Sequence, residues 1–72
     1  MIPLFTVPDI CYQPLDLGSC SGKLQRYFYN AMAKKCEAFI YNGCGGNKNN
    51  FMSLPECKEK CLSKYENFIS FT

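Results

Sequence analysis

The sequence predicts a small disulfide-rich α+β fold, one antiparallel hairpin followed by one short helix. Three observations carry this. Six cysteines lie in only 72 residues, a density that marks a chain whose own core is too small to hold it and which relies on covalent staples. Two aromatic-rich segments, LQRYFYN (24–30) and CEAFIY (36–41), are close enough to pair as a hairpin. A capping box, SLPE at 53–56, opens a helical stretch.

Residues 1–10, with Pro3 and Pro8 and no period, read as an extended lead-in. Residues 11–23 contain Pro14, Gly18 and Gly22 among serines and aspartate, which is loop composition. In CEAFIY, Cys36, Ala38 and Ile40 alternate with Glu37, Phe39 and Tyr41, so both faces of the second strand are expected to be partly covered. AMAKK (31–35) turns the chain between the strands. NGCGGNKNN (42–50) is glycine- and asparagine-rich, and the cysteine within it predicts a pinned loop rather than a free one. In the capping box Ser53 accepts from the Glu56 N–H and Glu56 reaches back to the Ser53 N–H. Pro55 sits in the first turn, where its missing donor costs little. The helix runs from Leu54 to about Leu62, with Cys57 and Cys61 on one face. Residues 63–72 read as a tail carrying Tyr65, Phe68, Ile69 and Phe71.

Composition excludes several functions. A net charge of +2, with no basic cluster beyond Lys34–Lys35, is too small for a nucleic-acid footprint. No apolar run is long enough to span a membrane. The chain has no histidine, which removes Ser-His-Asp and Cys-His catalysis and His-containing zinc sites. There is no C-x2-C pair, and six scattered carboxylates suggest no acid–base site. Neither an enzyme nor a cofactor or metal site is expected. The cysteines imply an oxidising, secreted or extracellular setting. MIPLFTVPD lacks a basic leader and does not read as a complete signal peptide. No Asn-x-Ser/Thr sequon occurs. The even cysteine count leaves the pairing open.

The cysteines stand at 11, 20, 36, 44, 57 and 61. With RYFYN (26–30), F-x-Y-x-G-C (39–44), GGN-x-NNF (45–51) and the C-x3-C of the helix, they resemble the Kunitz, or bovine pancreatic trypsin inhibitor, family. The resemblance covers residues 11–61, about 70 % of the chain. It implies a Kunitz fold with a twisted two-stranded hairpin, a C-terminal helix and the pairs Cys11–Cys61, Cys20–Cys44 and Cys36–Cys57. It divides the chain into an N-terminal extension (1–10), an inhibitor domain (11–61) and a C-terminal tail (62–72). Gly43, Gly45 and Gly46 would let backbone pass close to the second bridge, and Asn49 and Asn50 would bond buried backbone groups.

The resemblance also implies a function: a rigid loop offered, as a substrate would be, to a serine protease of the chymotrypsin fold. The loop is Gly18, Ser19, Cys20, Ser21, Gly22, Lys23 and Leu24. Ser21 is the P1 residue entering the S1 pocket, Ser21–Gly22 the reactive bond, and Lys23 and Leu24 the P2' and P3' residues. Tyr41, Asn42, Gly43 and Cys44 form a second rim. Trypsin-directed members carry Lys or Arg where this chain has Ser21, so a protease with a small or apolar S1 pocket, elastase- or chymotrypsin-like, is the expected target. Recognition through Lys23 would shift the loop register. Asn42 takes a rim position that is often glycine in the family and adds bulk beside the loop, and Lys34 stands where a glycine turns the hairpin in the type member. Two other classes compete: a non-inhibitory interaction module of a larger secreted protein, and a toxin-like ion-channel blocker. The domain is expected to be monomeric.

Overall fold

A computed structural model describes residues 7–62. The elements run in the order 3-10 helix (Asp9–Tyr12), β1 (Leu24–Asn30), β2 (Lys35–Tyr41) and α1 (Leu54–Cys61). Residues 1–6 and 63–72, with the aromatic tail and most of the lead-in, lie outside the described residues.

β1 and β2 pair antiparallel from Leu24↔Tyr41 at the open end to Asn30↔Lys35 at the turn. β-Branched and aromatic side chains suit this pleated, half-covered surface. Phe39 is buried on one face, where its ring meets Phe28 and Tyr41 edge-on at centroid distances of 5.7 and 6.4 Å. On the other face of the same strand, Ala38 and Ile40 are exposed and Cys36 is half-buried. Asn30 shapes the turn: its side-chain oxygen accepts from the N–H groups of Met32 and Ala33, and its carbonyl from the Lys34 N–H at 2.7 Å. Lys34 takes the left-handed conformation, φ 58°.

The lead-in departs from expectation at its end. Asp9 and Ile10 belong to the 3-10 helix, closed by the Cys11 N–H donating to the Pro8 carbonyl at 3.0 Å. Proline fixes its own φ and favours an extended residue before the turn, so Pro8 sets the entry to that turn.

α1 begins as the capping box implies in one half only. Ser53 Oγ accepts from the Glu56 N–H at 3.2 Å. The Glu56 carboxylate, however, takes the N–H of Met52 at 3.0 Å instead of that of Ser53. Extended backbone at Ser53 puts the preceding donor within reach. Cys57 and Cys61 point into the core, and both are fully buried.

Three disulfides join the elements: Cys11–Cys61, Cys20–Cys44 and Cys36–Cys57. The first encloses 50 residues of sequence separation, and by chain-entropy arguments a loop of that size contributes about 4 kcal/mol. The core gathers Cys11, Tyr29, Phe51, Cys57 and Cys61. Phe51 is stitched to β1 by an isolated bridge, exchanging two backbone bonds of 2.8 and 2.9 Å with Tyr27.

Asn49, 1 % exposed, is the polar centre of this core. Its side-chain oxygen accepts from the Tyr29 N–H at 2.8 Å, and its amide donates to the carbonyls of Tyr29, Gln13 and Cys11 at 2.9–3.3 Å. Buried backbone groups need such partners, and this one side chain serves four backbone groups, its two amide protons shared among three carbonyls. Asn50 does otherwise: its oxygen accepts from Arg26 Nη1 at 3.0 Å, a side chain rather than backbone.

Candidate functional site

At the open end of the hairpin, two arms of coil face each other. One contains Gly18 to Leu24, the other Tyr41 to Cys44. Both are kept there by short-range chemistry that the sequence encodes.

On the first arm, Asp16 accepts the Gly18 N–H through its side chain at 3.0 Å, a turn of the kind aspartate favours. Gly18 has φ +83°, and a Cβ placed on it would meet the Cys44 carbonyl oxygen at 2.3 Å and the Tyr41 ring at 2.9 Å. Only glycine fits there. From this point the arm is exposed: Ser19, Cys20, Ser21, Gly22, Lys23 and Leu24 all face solvent. Leu24 then enters β1 opposite Tyr41.

The second arm holds the first at points on both sides of Ser21. Before it, the Ser19 N–H donates to the Cys44 carbonyl at 2.9 Å, and Cys20 is joined covalently to Cys44. After it, the Gly22 N–H donates to the Asn42 carbonyl at 2.7 Å. Further back, the Asn42 N–H donates to the Leu17 carbonyl at 2.7 Å and its side-chain amide to the Gly18 carbonyl at 3.1 Å. A Cβ on Gly22 would stand 2.9 Å from the Asn42 oxygen, so the arms are in close contact here too. Among the described residues, none hydrogen-bonds the side chain of Ser21 or Lys23.

The second arm is itself braced. The Tyr41 hydroxyl donates to the Gly45 carbonyl at 2.6 Å, and the Arg26 guanidinium lies over the Tyr41 ring at 5.1 Å. Arg26 reaches on to Asn50. Asn47 donates to the Pro14 carbonyl at 2.7 Å, and the Lys48 N–H to the Gln13 side chain at 2.8 Å. The glycine- and asparagine-rich segment is thereby tied to the chain before the loop.

The structure thus brings Gly18, Ser19, Cys20, Ser21 and Gly22 against Tyr41, Asn42, Gly43 and Cys44. Lys23 and Leu24 continue away along the hairpin edge. Asp16 and the Asn42 side chain were not legible as loop anchors in the sequence. An Asp two residues before a Gly is a signal that could have found the first; nothing local marks the second.

Chemically, the arrangement offers an exposed stretch of backbone, Ser19 to Leu24, in a segment fixed at Cys20 and at Gly22. All six cysteines are in disulfides. Among the described residues no group of three or more His, Cys, Asp or Glu side chains could hold a metal ion, and no helix is long and apolar enough to cross a membrane.

Comparison with known proteins adds a family to this geometry. The profile of the Kunitz/Bovine pancreatic trypsin inhibitor domain matches residues 10–62. Tissue factor pathway inhibitor 2 of Bos taurus is 53 % identical over 55 residues, which cover 76 % of this chain and 24 % of that protein. The chain therefore spans about a quarter of that relative's length. Kunitz-type serine protease inhibitor textilinin-4 of Pseudonaja textilis textilis is 52 % identical over 56 residues, covering 78 % of this chain and 68 % of the relative. Among solved structures, a chain from "Pore-modulating toxins exploit inherent slow inactivation to block K+ channels" superposes with a TM-score of 0.78 at 39 % identity. That match covers 82 % of this chain and all of the other.

Proposed function

This chain belongs to the Kunitz/bovine pancreatic trypsin inhibitor family, an inhibitor family and not one of enzymes, and from that premise we propose that it is a serine protease inhibitor acting through the Gly18–Leu24 loop. Ser21 is the P1 residue, Ser21–Gly22 the reactive bond, and Lys23 and Leu24 occupy P2' and P3'. Tyr41, Asn42, Gly43 and Cys44 form the second rim of the contact. Residues 11–61 are the inhibitor domain, and the segments on either side are extensions.

One observation supports this above the rest. The residues on the two sides of Ser21 are anchored to the same opposing arm, Cys20 through its bond to Cys44 and Gly22 through its N–H to the Asn42 carbonyl. When the nucleophile of a serine protease attacks the Ser21 carbonyl, the leaving amine is that of Gly22. In a peptide substrate the amine diffuses away. Here its nitrogen stays beside the Asn42 oxygen, while the disulfide keeps the acyl half close, so the amine is held where it can re-form the bond. Effective molarities for such tethered reactions are large. The fixed loop also avoids the ordering cost of roughly 0.5–1.5 kcal/mol per immobilised side chain that a flexible peptide bears.

The P1 side chain sets the target. A trypsin-like S1 pocket holds a buried carboxylate, and leaving it unpaired costs about 2–5 kcal/mol. Ser21 brings no cation, so the preferred partner is a chymotrypsin-fold protease with a small or apolar S1 pocket. Disulfides persist in oxidising compartments, which supports a secreted, extracellular encounter, with the domain acting as a monomer. Inhibition constants against elastase, chymotrypsin and trypsin test the reading. Inhibition of either of the first two in preference to trypsin supports it; no inhibition of any overturns it.

A second reading, ion-channel block, is favoured by the similarity to a channel-blocking toxin. Block of potassium current by a protein inactive on every protease would select it. The 24 % share of tissue factor pathway inhibitor 2 that the chain matches likewise fits a module within a longer protein.

A further inference from the structure

We infer that the Asn42 side chain is a positioning residue that locks the entrance of the loop, through its hydrogen bond to the Gly18 carbonyl. The inference deepens the inhibitor reading and rests on it for its functional consequence, though not for its test.

Gly18 is the softest point of the first arm, because glycine has the widest conformational range. Left alone, it would let Ser19–Gly22 swing on the Cys20–Cys44 bridge. Instead both of its backbone polar groups are taken by side chains from opposite directions. The N–H goes to the Asp16 carboxylate at 3.0 Å, and the carbonyl receives the Asn42 amide at 3.1 Å. The next group along, the Ser19 N–H, goes to the Cys44 carbonyl at 2.9 Å. The Gly18–Ser19 peptide is therefore held at its oxygen and at its nitrogen by residues 42 and 44 of the other arm.

Asn42 makes two backbone bonds as well, to Leu17 and Gly22, and any residue could supply those. Only the side chain distinguishes this position. It is half-buried, its donor reaches a carbonyl that no other described residue is seen to bond, and a residue without a side-chain donor would leave that carbonyl to water. Loop stiffness before binding is what lowers the ordering cost on binding, so the Asn42 side chain favours inhibition through Gly18, while its backbone carbonyl separately takes the Gly22 N–H of the reactive bond.

Asn42→Asp is the decisive variant, because it keeps the shape and reverses the polarity of the group. At neutral pH its carboxylate faces an acceptor; below the ordinary carboxyl range, around 4, its O–H can donate to the Gly18 oxygen. The Asp16 carboxylate accepts the Gly18 N–H in both proteins, so the parent at the same pH is the reference. The measurement is amide hydrogen-exchange protection of Ser19 and Gly22 by NMR in the full chain, with the Tyr29 amide as control. In Asn42→Asp, protection of the two loop amides is expected to fall about three- to tenfold relative to the parent near pH 7, the size of one partly exposed hydrogen bond. It is expected to return to the parent value near pH 3, with Tyr29 unchanged throughout. Asn42→Gly is expected to lose the protection at both pH values. Protection in Asn42→Asp equal to the parent at neutral pH, or a loss that acid does not reverse, overturns the assignment. Exchange needs no protease. A parent that inhibits nothing while exchange behaves as expected defeats the inhibitor reading alone, and an inhibiting parent with unchanged exchange in the variant defeats the role of Asn42 alone.

Discussion

Gly18 lies against Cys44 so closely that a Cβ on it would stand 2.3 Å from the Cys44 carbonyl oxygen. The contact is backbone to backbone, so it cannot be relieved by a rotamer change. Gly18→Ala is therefore expected to separate the two arms and to strain a residue at φ +83°, at a cost on the order of 2 kcal/mol or more. Thermal unfolding measures the loss, and protease inhibition should weaken beyond what the drop in stability explains. A variant as stable as the parent would show that the arms are not packed as described.

Asn49 anchors the core in a different manner. It answers the N–H and carbonyl of Tyr29 and two further carbonyls. Asn49→Ala is expected to destabilise the protein by roughly 3 kcal/mol, since the Tyr29 N–H and the carbonyls that share the two amide protons lose three bonds at about 1 kcal/mol each. Denaturant unfolding reads this directly. A change below about 1 kcal/mol would mean that water replaces the amide easily.

The disulfides differ in access. Cys11, Cys57 and Cys61 are fully buried, whereas Cys20 is exposed. Mild dithiothreitol is expected to open Cys20–Cys44 first and leave the core folded, while full reduction unfolds the domain, because a core of this size supplies only a few kcal/mol. Mass mapping of trapped thiols with circular dichroism follows both stages. First reduction at Cys11–Cys61, or a native spectrum after complete reduction, would contradict the assignment.

Much of this was legible in the chain. The aromatic run LQRYFYN gave β1 with its bounds, and Ser53 marked the start of α1, because strand patterning and helix capping are local. The disulfide pairing was not local, and it followed from family resemblance rather than from spacing. What remained hidden depended on direction. Asn49 and Asn50 are adjacent and identical in type, yet one enters the core and the other meets Arg26. Asn42 read as added bulk at the rim, when its amide turns inward to Gly18. Glu56 was placed on the correct turn but one residue from its true partner, since the sequence does not state how the chain before Ser53 bends.

Lys34 occupies a left-handed position, φ 58°, which an L-residue with a side chain adopts at a cost of roughly 1 kcal/mol. Lys34→Gly is expected to raise stability by a few tenths to about 1 kcal/mol, the gain in backbone strain being offset in part by glycine's greater freedom when unfolded. The melting temperature checks it. A lower value would place the entropic term above the strain.

The loop is fixed on both sides of Ser21, by Cys20–Cys44 and by the Gly22 N–H on the Asn42 carbonyl, and the proposed function has it meet a protease as a substrate would, with Ser21 choosing the protease. Ser21 is exposed and its side chain engages none of the described residues, so it can be replaced without disturbing its supports. The most direct test is the trypsin and elastase inhibition constants of the parent and of Ser21→Lys. A lysine here supplies the cation that the trypsin pocket demands, and pairing that buried carboxylate is expected to gain about 3–4 kcal/mol, or roughly two to three orders of magnitude, against trypsin. Inhibition of elastase falls in the same variant, because a long charged side chain does not fit a shallow pocket. A folded Ser21→Lys protein that leaves trypsin untouched would contradict the account.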